Sequence, residues 1–315
     1  MKEQSEDAQK HARQESAKPR KSPTSAWRKF RRELTKTKLR VPHIWLRHRG
    51  ITPTDVFWAA YPRSGSTWSR FTLYEILTGR EASFHAVNHA IPGVGRHRFR
   101  PHMLPGNGRL ISTHEQYRTE YKKAIYMVRD ARAVALSEFS YTRSLEFFRG
   151  DFDEFLEVFL RGKISGFGPW PQAIASWLNS PIAGTDNFLL VRFEDLRQNP
   201  VEGFKRMADF LGVNVDQERV RQAVANNSLD RMKEKERVEP QRVSAGDGFV
   251  RSGSVEGWRS KLTPAQDRLV EQHAGSLLLS LGYPVSAAVS KSGAGVNPLL
   301  RNSVVPDATL SGIRE

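Results

Sequence analysis

Short apolar runs alternate with longer amphipathic stretches between about residues 55 and 283. A short apolar run at 55–61 predicts a buried strand, and three further strand candidates lie at 109–114, 124–129 and 188–196. The stretches around them predict helices at 67–77, 131–141, 152–162, 171–180, 201–212 and 264–281, the last one capped by Thr263. Because strands and helices alternate, we predict an α/β fold with a parallel sheet flanked by helices on both faces.

Both ends of the chain lack this alternation. Residues 1–50 carry +10 of the total net charge of +15, and their polar first half predicts disorder. Trp27, Phe30 and Leu34 then recur at helical spacing among cations, which fits a basic amphipathic helix at an anionic membrane surface. A solvated arm packed by a few aromatic side chains is the alternative that we favour. We therefore predict a basic leader (1–50), a main domain (51–285) and a flexible tail (286–315).

Composition excludes several kinds of chemistry. The chain has no cysteine, so disulfides, thiolate catalysis and Cys-ligated zinc are excluded. It has no run of 18 apolar residues and no apolar signal segment at its start, so we predict a cytoplasmic protein, with attachment to the cytoplasmic face of a membrane through the leader left open. The main domain is nearly neutral, which argues against a specific nucleic-acid partner. The His-rich segment 83–108 lacks acidic partners, so we predict a loop and no metal site there.

The segment YPRSGSTW (61–68) joins the first predicted strand to the first predicted helix. Parallel sheets bind ligands at the carboxyl ends of their strands, and a helix N-terminus offers free N–H groups and a favourable dipole to an anion. Gly65 permits close approach, Arg63 adds a charge, and three residues add hydroxyl donors, namely Ser64, Ser66 and Thr67. The ATP-binding pattern G-x-x-x-x-G-K-[ST] is absent. We predict a site for a phosphate-like anion, and an ordinary capped helix start is the alternative.

Several segments resemble the cytosolic-type sulfotransferases that use 3′-phosphoadenylyl sulfate (PAPS). YPRSGSTW resembles the family's 5′-phosphosulfate loop, usually YPKSGTTW. KAIYMVRDARAVALSEFSY (123–141) resembles its 3′-phosphate motif and keeps the eight-residue step from Arg129 to Ser137. Further matches lie between and after these two segments, in family order, and include STHEQYRTEYK, RFEDLRQNP, SLDRMKE and RSGSVEGWRSKLTPAQ. The resemblance implies a three-layer sandwich similar to the P-loop nucleotide hydrolases.

The resemblance also implies a reaction, in which the sulfuryl group of PAPS passes to a hydroxyl or amine acceptor by in-line attack. The acceptor would be a hydroxylated small molecule, a lipid or a glycan. His114 matches the catalytic base of the family, and Arg63 stands where the family has the lysine that stabilises the leaving phosphate. Four positions depart from the family pattern and leave an inactive, nucleotide-binding relative open, namely Ser112, Ala133, Phe193 and Ser252. A nucleotide kinase on a related fold is a further alternative.

Donor-binding positions follow from the same resemblance, which implies PAPS as co-substrate and no metal. The 5′-phosphosulfate side comprises Arg63, Ser64, Gly65, Ser66 and Thr67. The 3′-phosphate side comprises Arg129, Ser137, Arg251, Ser252 and Gly253, and the adenine side comprises Trp68, Phe193 and Ser228. A surface pair of Arg129 with Asp130 is the alternative for that arginine. The Arg- and His-rich segment 83–108 is a candidate lid over the acceptor.

Overall fold

The computed structural model describes residues 40–241, 248 and 250–290. The chain divides into two units, Met1–Arg49 and Gly50–Glu315. Helix α1 (Arg40–His48) lies in the first unit. The proposed leader helix around Trp27, Phe30 and Leu34 lies outside the described residues, as do residues 291–315 of the predicted tail. The domain boundaries therefore stay predictions.

Four parallel strands form the sheet of the second unit. They are β1 (Val56–Ala60), β2 (Leu110–Thr113), β3 (Ala124–Val128) and β4 (Phe188–Arg192), in the order β2-β1-β3-β4. Strand β1 is paired on both sides, with Ala59 opposite Thr113 of β2 and Tyr126 of β3. All four carboxyl ends therefore lie along one edge, and the predicted parallel sheet is confirmed.

Helices cover both faces of this sheet. They are α2 (Ser66–Thr78), α3 (Phe84–Ala90), α4 (Ala131–Ser144), α5 (Phe152–Leu160), α6 (Trp170–Leu178), α7 (Phe193–Gln198), α8 (Pro200–Phe210), α9 (Gln217–Asn226), α10 (Leu229–Val238), α11 (Pro264–Ser280) and α12 (Ala287–Ser290). The predicted cap of α11 is present, because the Thr263 side chain accepts a hydrogen bond from the Gln266 N–H. In the part of the chain that the structure describes, no helix combines the length and apolar character that crossing a membrane requires.

The alternation of side chains along β1 explains why its sequence is apolar throughout. Phe57 and Ala59 belong to one hydrophobic core, and Trp58 and Ala60 belong to a second core on the opposite face. A strand with helices on both sides has no face that meets water, so polar residues do not alternate with apolar ones. The predicted three-layer arrangement of helices, sheet and helices is confirmed.

The fourth strand ends earlier than the sequence predicts. We predicted a strand over 188–196, whereas β4 ends at Arg192 and Phe193 opens helix α7. Glu194 and Asp195 occupy the first turn of α7, where carboxylates are favoured by the helix dipole. Both acids are buried, so the buried part of the chain continues from the strand into the helix.

The segment 83–108 also differs from its prediction as a loop. It begins with α3, whose N-terminus is capped by the Ser83 side chain accepting from the Ala86 N–H. Phe84, Val87 and Ala90 are buried at a helical spacing of three residues. This spacing is visible in the sequence, but histidines lie between the apolar residues and arginines follow them, a composition that is typical of a polar loop.

Candidate active site

A cavity of about 990 Å³ opens at the carboxyl edge of the sheet. Each strand leads into it, because the lining includes Arg63 after β1, His114 after β2, Arg129 after β3 and Phe193 after β4. Open α/β sheets bind their ligands at this edge. The sheet therefore brings together four sequence-predicted residues that are up to 130 positions apart in the chain.

The loop between β1 and α2 has a conformation that depends on Gly65. Its φ is 97°, and a Cβ at this position would lie 2.5 Å from a ring carbon of Phe193. Arg63 also has a positive φ, of 67°. Helix α2 begins directly afterwards, so the N–H groups of its first turn have no partners within the helix. The turn thus presents backbone donors at the cavity with no side chain at Gly65 in between.

Hydroxyl groups of this loop are available as further donors. The Ser66 Oγ accepts a hydrogen bond from the Trp58 Nε1, at 3.1 Å, and keeps its own proton to donate. The Ser64 side chain is buried, and its hydroxyl has no hydrogen-bond partner among the described residues. Ser66 and Thr67 line the cavity, whereas Ser64 lies behind the lining. The predicted anion loop is therefore present as a set of donors.

Three arginines meet at Ser137 and at the loop. The Ser137 Oγ accepts from the Arg63 Nε at 3.2 Å and from an Arg251 terminal nitrogen at 2.9 Å. Arg129 donates to the backbone oxygens of Arg63, at 3.1 Å, and of Ser254, at 2.8 Å. Burial lowers the pKa of Arg63 to about 10 and also lowers the pKa of Arg129, and the charge of Arg251 lowers both. Such a concentration of cations favours a multiply charged anion in the cavity.

Asp130 does not balance the charge of Arg129. Its carboxylate instead accepts from Arg132, at 2.9 Å from the Nε and 2.7 Å from a terminal nitrogen. Arg129 is only 9% exposed, with its guanidinium 4.4 Å from the centre of the Phe193 ring. The alternative of an exposed Arg129–Asp130 pair therefore does not hold.

Two of the three residues predicted to bind the adenine line the cavity. Trp68 and Phe193 line the cavity and pack edge to face, with ring centres 6.2 Å apart. Ser228 is an exposed residue at the start of α10 and does not line the cavity, whereas the next residue, Leu229, does. Ser252 and Gly253 line the cavity close to Arg251, as expected for a segment that covers the 3′-phosphate side.

His114 is held in one tautomer. Its Nδ1 lies 2.7 Å from the backbone oxygen of Ala60, and a carbonyl can only accept, so Nδ1 carries the proton and Nε2 carries the lone pair. Burial lowers the pKa of His114, and the charges of Arg70 and Arg63 lower it further against the opposing effect of the Ala60 bond. The ring is therefore neutral at pH 7 and has a free basic nitrogen.

The sequence analysis did not assign five charged residues that line the cavity, namely Arg70 on α2, Glu138 on α4, Arg197, Lys233 and Lys261. Burial raises the pKa of Glu138, and the charge of Arg63 opposes this rise. Arg70 follows Ser66 by four positions, so both side chains project from the same face of α2. That spacing was the available signal. Glu138 follows Ser137 directly, and nothing in the pattern marks it.

The segment 83–108 does not cover the cavity as a lid. None of Arg96, Arg98 and Arg100 is among the lining residues, and α3 packs beside α2 instead. The described residues also contain no group of three or more His, Cys, Asp or Glu side chains arranged to hold a metal ion.

Comparison with known proteins places these features in a family. Residues 53–282 match the family model described as the sulfotransferase domain. The chain is 26% identical over 258 residues to mouse sulfotransferase 1A1, which covers 73% of this chain and 87% of that protein. Among solved structures it is similar to a retinol dehydratase in complex with androsterone and PAP (adenosine 3′,5′-bisphosphate), with a TM-score of 0.61, 20% identity and coverage of 74% and 83%. Mouse sulfotransferase SULT7A1 complexed with PAP gives a TM-score of 0.58 at 22% identity, covering 78% of this chain and 90% of that one. The family match spans most of the chain, and we conclude that the chain belongs to the sulfotransferase family.

Proposed function

We propose that the protein transfers the sulfuryl group of PAPS to a hydroxyl or amine of a small-molecule acceptor. One observation carries this proposal: the neutral, singly oriented His114 and the donor-rich loop at Arg63 line the same cavity. Membership of the sulfotransferase family supports it, as do the neighbours of similar fold that are described as PAP complexes. The nucleotide kinase alternative is not favoured by any of these observations.

In the proposed reaction the acceptor oxygen or nitrogen attacks the sulfur while the bond from sulfur to the bridging oxygen breaks. The acceptor proton passes to the Nε2 of His114, the atom with the lone pair. Negative charge grows on the leaving 5′-phosphate, where Arg63 and the first-turn N–H groups of α2 would stabilise it. Arginine keeps its protons, so Arg63 would act by charge and hydrogen bonding alone.

Recognition of the 3′-phosphate would separate PAPS from other adenine nucleotides. Arg251 donates to the Ser137 hydroxyl, and Arg129 donates to the backbone oxygens of Arg63 and Ser254. A guanidinium fork suits a phosphate group. Trp68 would offer a ring face to the adenine. Ser228 remains a donor-site prediction that would require movement of the start of α10 toward the cavity.

Aromatic rings dominate the part of the cavity that would receive the acceptor. Phe139, Tyr141, Phe147 and Phe167 line it, and Phe167 lies edge-on to His114 with ring centres 5.7 Å apart. A hydroxylated acceptor with an apolar body fits this lining better than a sugar chain does. The cytoplasmic location and the membrane contact of the leader remain predictions.

Binding of PAP and ADP tests the donor site. We expect the wild-type protein to bind PAP more tightly than ADP in calorimetric titrations, because only PAP carries a 3′-phosphate. Arg129→Ala should raise the Kd for PAP by about 10- to 100-fold, the usual effect of removing a hydrogen bond to a charged group, and should change ADP binding far less. Arg251→Ala should act in the same direction without removing the Arg129 bonds to the backbone.

Arg161→Ala is the matched control for these titrations, because Arg161 is an exposed residue paired with Glu157 outside the cavity. It should leave both dissociation constants unchanged. Equal affinity for PAP and ADP in the wild type would show that the 3′-phosphate is not recognised, and the proposed function would then be wrong.

The pH dependence of turnover should report on His114. Its pKa is lowered by burial and by nearby arginines, so the neutral, basic form persists to lower pH than in a free imidazole. We expect kcat/KM to fall at acidic pH with a midpoint below the ordinary histidine pKa of about 6.5. Between about pH 6.5 and pH 7 the activity should not fall. Arg70→Met should move this limb to higher pH by removing a positive charge. A midpoint above 6.5 would contradict the assignment.

A further inference from the structure

Arg70 is anchored by one end of its guanidinium. A single terminal nitrogen donates to the Ile91 backbone oxygen at 2.7 Å and to the Asn88 Oδ1 at 2.9 Å, with a longer contact of 3.5 Å to the Val87 oxygen. These acceptors belong to the last turn of α3 and the residue that follows it. The guanidinium is thus tied to α3 while its side chain lines the cavity.

The anchor places Arg70 on the His114 side of the cavity. Ile91 is followed by Pro92, whose backbone oxygen accepts from both the N–H and the hydroxyl of Ser112, at 2.8 and 3.2 Å. Ser112 lies in β2, two positions before His114. Arg70 also follows the anion loop by one turn of α2, and its positive charge is close enough to lower the pKa of His114.

The charge of Arg70 is not balanced within the described protein. No carboxylate of the described residues forms an ion pair with it, and its Nε is buried without a hydrogen-bond partner. Burial lowers the pKa of Arg70 to about 10, and no neighbouring acid opposes this. A role in capping α3 would account for the one terminal nitrogen but would leave the remaining donors and the charge unexplained.

We propose that Arg70 binds the sulfuryl oxygens of PAPS. This inference rests on the proposed function, in which the group between the anion loop and His114 is the sulfuryl group in transfer. A guanidinium presents its donors in a planar fork, which suits two oxygens of one tetrahedral group. Arg70 exchanges no proton in this role; it holds the charge of the sulfuryl oxygens while the bond from the donor breaks and the bond to the acceptor forms.

The experiment compares PAPS with PAP, which differ by the sulfuryl group alone. Dissociation constants for both are measured by calorimetry without acceptor, on the full chain and on Arg70→Met. We expect Arg70→Met to raise the Kd for PAPS by about 10- to 100-fold and to leave the Kd for PAP unchanged. Arg70→Lys, which keeps the charge but loses the fork, should give a smaller, still PAPS-specific effect.

Two controls separate binding from folding. Arg129→Ala should weaken PAPS and PAP together, because it acts at the 3′-phosphate that both share. Asn88→Ala removes one hydrogen bond that holds Arg70 but removes no charge from the cavity. Its dissociation constants show how much of the effect on PAPS binding comes from the contact with α3 alone. Arg70→Lys also keeps the comparison usable if Arg70→Met does not fold.

The outcomes are distinct. A selective loss of PAPS affinity in the Arg70 variants supports the proposal. An equal effect on PAPS and PAP would assign Arg70 to the scaffold, and no effect on either would assign it to the acceptor; each result overturns the proposal. If the wild-type protein binds neither ligand, the proposed function fails first, and that failure is visible without any variant.

Discussion

Replacement of His114 by alanine is expected to lower kcat for sulfuryl transfer by about 10²- to 10⁴-fold, the typical contribution of a general base. The imidazole is the basic group with a free lone pair, since its Nδ1 is committed to the Ala60 oxygen and its Nε2 is not. The same substitution should leave the Kd for PAP unchanged, because PAP contains neither the acceptor nor the sulfuryl group. Single-turnover transfer from PAPS and calorimetric titration with PAP measure the two quantities.

His114→Asn is the sharper variant. The Nδ2 of asparagine occupies about the same place as the Nδ1 of histidine, so it can still donate to the Ala60 oxygen and hold the end of β1 in position. It lacks the second nitrogen and cannot take the proton. We expect it to lose as much turnover as His114→Ala while keeping the wild-type unfolding temperature. A kcat within tenfold of the wild type in both variants would mean that another group is the base.

Glu138 is the obvious second candidate for a base in this cavity. Its pKa is raised by burial, and one of its carboxylate oxygens has no hydrogen-bond partner among the described residues. However, Glu138 lies on α4 close enough to Arg63 for the two charges to interact, and Arg63 is the residue that would stabilise the donor phosphate. The pair of variants at His114 separates the two residues directly.

The sequence predicts the site best where its residues are local. The run from Arg63 to Trp68 sits between a strand and a helix, so its position at the sheet edge follows from the alternation of elements alone. Arg129 and Ser137 follow β3 in the same way, and the eight-residue step puts the serine on the cavity face of α4. Their location at the sheet edge follows from the fold class, although Ser64 is not among the residues that line the cavity, and their roles in donor binding stay predictions.

The residues that the sequence did not reveal depend on contacts between distant segments. Arg70 gains its position from Ile91 and Asn88, and nothing near Arg70 in the sequence predicts that α3 packs there. Ser228 is the reverse case: it was assigned from a matching segment, and the start of α10 leaves it exposed and outside the cavity lining, so its role stays a prediction. Side-chain direction at the end of a helix is set by packing, which a motif does not encode.

The early end of β4 has a consequence for the site. Because α7 begins at Phe193, its ring lies against Gly65 on one side and under the Arg129 guanidinium on the other. A strand that continued to residue 196 would alternate its side chains and would carry the chain away from the sheet edge. The transition from strand to helix thus packs the Phe193 ring against Gly65, at a position where a larger residue would collide with the ring.

Gly65→Ala is therefore expected to abolish measurable PAP binding and to lower the free energy of unfolding by about 1–3 kcal/mol. The new Cβ would stand 2.5 Å from the Phe193 ring, a distance that requires the loop or the ring to move. The backbone would also have to keep a φ of 97°, which is unfavourable for alanine. Calorimetry with PAP and thermal unfolding of the same samples measure the two effects.

Gly166→Ala separates the collision from the backbone strain. Gly166 has a φ of 78°, and a Cβ there meets nothing within 4 Å, so this variant bears only the strain of about 1–2 kcal/mol. It should lose some stability and keep its PAP affinity. Gly65→Ala combined with Phe193→Leu should recover part of the lost stability, because the smaller side chain can withdraw. If Gly65→Ala binds PAP as the wild type does, the loop does not hold the 5′-phosphate, and the donor site must be sought elsewhere in the cavity.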